Sequence, residues 1–150
     1  MATATPVLQK DIHQTKQKAD MLDSSFVSGL STHLLVEMWK APFSSLASAD
    51  VIESVLEKAA SSCSSYENDK DLKINTYQFN PYGVSATVSN STIHILIHTW
   101  PEREYAALDI FAREQGQAHK ILESLKATLN PGHVEVIELT RGQLLEMEDT

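Results

Sequence analysis

The chain has 150 residues, 42% hydrophobic and 21% charged, the balance of an ordinary globular domain long enough to bury one core without staples. A formal net charge of −8, with no stripe or cluster of Lys and Arg, excludes nucleic acid as an expected partner. Cys63 is the only cysteine, so an intrachain disulfide is ruled out and a reducing compartment suits the chain.

No apolar run reaches the ~20 residues of a membrane span. The N-terminus also lacks the basic-then-apolar order of a secretory signal. A cytoplasmic location with no membrane partner is the expectation. Residues 1–30 are polar, with scattered Leu8, Ile12, Met21, Leu22 and Phe26, and their periodicity is too weak to define a core face. They read as a flexible extension. The organisation expected is an extension over 1–30, a domain over 31–143 and a tail over 144–150.

From Thr32 the pattern becomes regular. Thr32 to Trp39 is a compact apolar run that reads as a buried strand, stopped by Pro42. Ser48 and Asp50 compete as N-cap of a helix running to about Ser61. Its stripe is Val51, Ile52, Val55, Leu56, Ala59 and Ala60, at helical spacing. Ser61 to Lys70 is a polar loop, and Cys63 has no cation beside it in sequence, which reads as an inert thiol.

Leu72 to Phe79 alternates as a half-buried strand, and Asn80-Pro81-Tyr82-Gly83 is a turn. Val84 to Ser91, Thr92 to Thr99 and Tyr105 to Phe111 are further strands. Glu114 to Leu129 reads as a helix with Ala118, Ile121, Leu122, Leu125 and Leu129 on one side. Asn130-Pro131-Gly132 breaks it, and Val134 to Leu139 is the last strand. This order predicts an α+β two-layer sandwich, a mainly antiparallel sheet with two helices on one face. The other face is left for water, a ligand or a second subunit.

His94 and His98 are four apart, but their segment is too rich in β-branched residues to be helical. On a strand they stand about 13 Å apart, too far for one metal ion, so no metal site is expected. Alternation places Ile93, Ile95 and Ile97 on the helix-covered face and His94, Leu96 and His98 on the open one. His98 there is either a structural histidine or a titratable group meeting a ligand. No Ser-His-Asp order, paired-carboxylate motif or Gly-rich phosphate loop occurs.

Three stretches resemble the bacterial S-adenosylmethionine decarboxylases. They are His33-Leu-Leu-Val-Glu37; Phe79-Asn-Pro-Tyr-Gly-Val-Ser-Ala86 with His94-x-x-x-His-Thr-Trp-Pro-Glu102 and Tyr105-Ala-Ala-Leu-Asp-Ile-Phe111; and Val134-Glu-Val-Ile-Glu138 with Arg141-Gly142. The likeness covers roughly 32 to 142. It implies a two-layer sandwich that dimerises and a role in spermidine synthesis. It also implies an inactive proenzyme that cuts itself at Ser-Glu-Ser-His, the second serine becoming a pyruvoyl group that accepts electrons as carbon dioxide leaves.

This chain departs from that pattern twice. The matching residues are Ser91-Thr92-Ile93-His94, so Ile93 stands where the precursor serine belongs. The family's proton-donor cysteine falls on Arg113, whose guanidinium does not give up a proton. No pyruvoyl cofactor is therefore expected. Other positions match: Ser85 and His98 with residues that assist processing, Phe79 with an aromatic that stacks on adenine, and Glu102 with a glutamate for the ribose hydroxyls.

The expected ligand is S-adenosylmethionine or a related small molecule. The expected assembly is a homodimer, or a heterodimer with an active paralogue. Two alternatives stay open at this point. One is an enzyme that processes at the shifted Ser91 or works without a pyruvoyl group through His98 and Glu102. The other is an interaction module with a vestigial pocket.

Overall fold

The computed structural model describes residues 30–63 and 71–142. Most of the 1–30 extension, the loop 64–70 and the 144–150 tail lie outside the described residues.

The elements follow the chain as β1 (Ser31–Trp39), a four-residue helix α1 (Phe43–Leu46), α2 (Ala49–Ser61), β2 (Lys73–Gln78), β3 (Val84–Ser89) and β4 (Ile93–Trp100). A 3-10 turn (Pro101–Arg103), β5 (Tyr105–Ala112), α3 (Gln117–Leu129) and β6 (His133–Arg141) complete them. The six strands form one sheet in the order β2-β3-β4-β5-β1-β6. Every neighbouring pair is antiparallel. The α+β sandwich expected from the periodicities is the observed architecture, with a wholly antiparallel sheet and one short helix more than foreseen.

Burial follows the period of two. Along β4 the residues Ile93, Ile95, Ile97 and Thr99 are buried, whereas His94 and Trp100 are exposed and Leu96 and His98 half-buried. Val84, Ala86 and Val88 of β3 and Leu108 and Ile110 of β5 share that covered face. Above it, α2 contributes Ile52, Leu56 and Ala59, and α3 contributes Ile121, Leu125 and Leu129, all with no exposure. Each such Leu or Ile side chain stabilises the fold by about 1.5–3 kcal/mol before its ordering entropy is counted.

Several boundaries differ from expectation for physical reasons. Val51 is exposed, because the stripe of α2 is narrower than six apolar letters suggest. The second long helix begins at Gln117, not Glu114, since Gly116 sits at φ 78 in the left-handed region and serves as N-cap. Ser48 is the N-cap of α2 but makes no side-chain capping bond. The Ala49 N–H donates instead to Gln78 Oε1, 2.7 Å away. Ser91 lies in the turn ahead of β4 rather than within a strand. No helix among the described residues is long and apolar enough to cross a membrane.

Candidate functional site

The uncovered face of the sheet carries the chain's polar and aromatic side chains in rows set by register. One row runs Tyr77, Ser85, His98, Ala107, Glu37 and Glu135 across all six strands. The next runs Trp100, Tyr105, Trp39 and His133. Ala107 is small, so the first row dips between the Ser85–His98 pair and Glu37.

Ser85 and His98 are cross-strand partners, and Ser85 Oγ lies 2.6 Å from His98 Nδ1. With the ring proton on Nε2 the hydroxyl donates to Nδ1. The Ser85 side belongs to a shallow depression of about 200 Å³ lined also by Asn75, Tyr77, Thr87 and Leu96. Phe79 stands just past β2, 48% exposed, with its ring edge-on to Tyr77 at 4.8 Å. Glu102 lies in the 3-10 turn after β4 and is exposed.

The turn after β4 is built by its own motif. Thr99 is buried, and its hydroxyl donates to Leu46 O at 2.8 Å while accepting from the Val84 N–H at 2.9 Å. That pins the first residue of β3 beside β4, and Ser85 follows it. Pro101 is buried at the first position of the 3-10 turn, where its missing N–H costs nothing. Gly83 has φ +108, and a Cβ there would meet Thr99 O at 3.3 Å. Thr99, Pro101 and the Gly before β3 are thus explained by backbone packing at this end of the sheet.

Trp39, Tyr105 and Trp100 stack in a line, with ring centroids 4.2 Å and 5.3 Å apart. Both tryptophans are 40% exposed. The Tyr105 hydroxyl donates to Glu37 Oε2. Burial and that carboxylate together push the phenol up to about 12, because the anion would be both desolvated and set against a second negative charge. Sequence reading singled out neither Glu37 nor Tyr105 as a pair. The signal was present in strand parity, which puts Glu37 on the open face with Leu35 and Trp39.

The opposite end of β4 looks different. Ile93 is 2% exposed and faces the helix layer, opposite Ala112 and away from His98. It stands five positions from His98, roughly 16 Å along a strand. The Asn90 carboxamide accepts from the Thr92 N–H, the Thr92 hydroxyl and the Ile93 N–H, at 2.8, 3.1 and 2.9 Å. Thr92 O accepts from the Arg113 N–H at 2.9 Å, and the Arg113 side chain is exposed. The geometry therefore brings Ser85 to His98, sets Phe79 and Glu102 at the same end of the sheet, and keeps Ile93, Arg113 and Ser91 at the other.

Known proteins share this fold. The family model for S-adenosylmethionine decarboxylase matches residues 32–142. The chain belongs to the S-adenosylmethionine decarboxylase family. It is 33% identical over 118 residues to the S-adenosylmethionine decarboxylase proenzyme of Methanococcus aeolicus, covering 78% of this chain and 97% of that protein. It is 36% identical over 123 residues to the proenzyme of Thermotoga maritima, covering 81% and 91%. The crystal structure of the adenosylmethionine decarboxylase from Aquifex aeolicus shares the fold, with TM-score 0.70 and 24% identity over 81% of this chain and 98% of that one.

Among the described residues no group of three or more His, Cys, Asp and Glu gathers as a metal site. Cys63, half-buried, lies 3.5 Å from Gln117 O, and burial raises its thiol, an effect only partly offset by the Ser62 hydrogen bond and by Lys120. It belongs to the seam between α2 and α3 rather than to the open face.

Proposed function

We propose that this chain is a member of the family that neither cuts itself nor carries a pyruvoyl group, and that it holds S-adenosylmethionine or a close relative on its open sheet face. The observation that carries the reading is Ile93, a hydrocarbon packed into the core where relatives need a nucleophilic hydroxyl. Without that oxygen the acyl shift cannot begin, and no electron-accepting carbonyl is made. A bound ligand's carboxylate then has no reason to leave, so the ligand is held and not consumed.

The retained residues support binding. Phe79 offers an exposed ring for a purine, and Glu102 a carboxylate for ribose hydroxyls. Arg113 supplies a cation where relatives have a proton donor, suited to a ligand carboxylate. Ser91 is a poor replacement nucleophile, because it lies in the turn before β4 while catalysis fails over displacements near 1 Å.

The separation along β4 favours a second subunit. The His98 end and the Arg113 end of one sheet lie roughly 16 Å apart along the strands, and a second subunit packed against the sheet would bring one end from each chain together. A second copy, or an active paralogue to which this chain is a regulatory subunit, satisfies that geometry. The family's place in spermidine synthesis makes polyamine metabolism the expected setting.

Two measurements test the proposal. Intact mass of the purified protein should give a single species of 16.6 kDa. Two fragments summing to the chain would overturn the unprocessed state. In thermal melts, ligand at 100 times its Kd stabilises by about 2.7 kcal/mol. No shift at saturating S-adenosylmethionine would reject the binding role and leave an interaction module.

A further inference from the structure

The side chain of Gln78, the last residue of β2, is exposed yet makes contacts on all sides. Its Oε1 accepts the Ala49 N–H at 2.7 Å, filling the capping role at α2 that Ser48 leaves open. Its Nε2 lies 3.0 Å from Ala47 O, 3.1 Å from Phe79 O and 2.9 Å from Gly83 O. Two N–H groups thus serve three carbonyls, one bond being shared. The Phe79 N–H donates to Gly83 O at 2.8 Å, closing the loop on itself. The loop's main chain also reaches the helix layer through the Gly83 N–H, a long 3.5 Å from Ala47 O.

We infer that Gln78 is the positioning residue for Phe79: one carboxamide fastens the Phe79–Gly83 loop to the start of α2 and thereby sets the ring that receives a planar ligand. Only an amide of this length suits the place. A carboxylate could cap Ala49 but would face three carbonyl oxygens with no proton to offer. A hydrocarbon could do neither. The inference deepens the proposed ligand site and rests on it for the ligand, but not for the loop.

The test compares Gln78→Leu and Gln78→Glu with the full-length protein by amide hydrogen exchange and by S-adenosylmethionine titration. In Gln78→Leu, protection at Ala49, Phe79 and Gly83 should fall together by about tenfold or more, while Leu96 and Leu108 in the central strands stay protected. In Gln78→Glu, Ala49 should stay protected and only the loop should open. Affinity for S-adenosylmethionine should fall by at least about tenfold in both variants, which separates loop placement from capping. Unchanged exchange at Phe79 and Gly83 in Gln78→Leu overturns the inference, as does loop opening with unchanged affinity. If the unmodified protein does not bind S-adenosylmethionine at all, the proposed function fails, and the exchange pattern still decides whether Gln78 holds the loop.

Discussion

The two ends of β4 have been kept to different standards. At the Trp100 end, Thr99, Pro101 and Gly83 fix the backbone, and Ser85 and His98 stay paired at 2.6 Å. At the other end stand Ile93 and Arg113, where under the proposed function a hydroxyl and a thiol are missing, and Asn90 ties the backbone into a turn. One substitution would be compatible with drift; two at neighbouring strand ends, Ile93 opening β4 and Arg113 just past β5, are what the proposed loss of the reaction rests on. The contrast teaches that the two ends of the strand can diverge separately, because it holds them roughly 16 Å apart.

The sharpest way to break the contrast is to restore the lost end. Thr92→Glu, Ile93→Ser and Arg113→Cys together should regain partial self-cleavage, read by intact mass as two fragments divided ahead of residue 93. A folded triple variant that stays whole would show that the divergence lies deeper than three side chains. Next in size is the cost of emptying the core position. Ile93→Ala should lose about 2–5 kcal/mol in urea unfolding, since Ile93 is 2% exposed. Ser85→Ala, at the half-buried other end, should lose no more than about 1 kcal/mol. Equal losses would erase the distinction between a structural end and a functional one.

Thr99→Val should cost about 1–3 kcal/mol by the same measurement, because Leu46 O and the Val84 N–H would be left buried without their partner. A neutral result would mean that the motif's threonine is not what fixes the turn. A smaller effect concerns Tyr105. Its phenol is raised to about 12 in the fold, above the ordinary 10 of the unfolded chain, so the protonated form is favoured by folding. That contribution is whole below about pH 10 and is lost as pH climbs toward 12. Glu37→Gln should move the phenol's titration back toward its ordinary value, as followed by ultraviolet difference spectra. The least expected change is at Cys63, whose raised thiol should alkylate more slowly at pH 7 than a free cysteine does.

Strand parity was the most legible part of the fold. The β4 segment, with three isoleucines alternating against His94, Leu96 and His98, gave the covered and open faces directly, and the observed burial agrees. Element ends were less legible. Gly116 stops the α3 helix from reaching back to Glu114, and nothing in a polar run of Arg-Glu-Gln-Gly marks that φ in advance. Capping also misled, since Ser48 has the right chemistry but Gln78, distant in sequence, takes the amide. The Ser85–His98 contact needs the β3–β4 register, and the Glu37–Tyr105 bond needs the β1–β5 register. Neither is visible until strands are paired. The missing hydroxyl expected at Ile93 came from resemblance alone, whereas alternation along β4 already placed that side chain on the helix-covered face, where it is found.

The place of β1 in the sheet has a consequence for how the chain assembles. β2 to β5 are neighbours in both sequence and space, so they can zip up hairpin by hairpin. β1 lies between β5 and β6, so Trp39 must find Tyr105 and Ser31 must find Arg141 from the far end of the polypeptide. Closing such loops costs entropy before any contact repays it. During synthesis β1 waits unpaired until β5 emerges and keeps one open edge until β6 follows, an apolar ribbon whose safety depends on how quickly the ribosome delivers them.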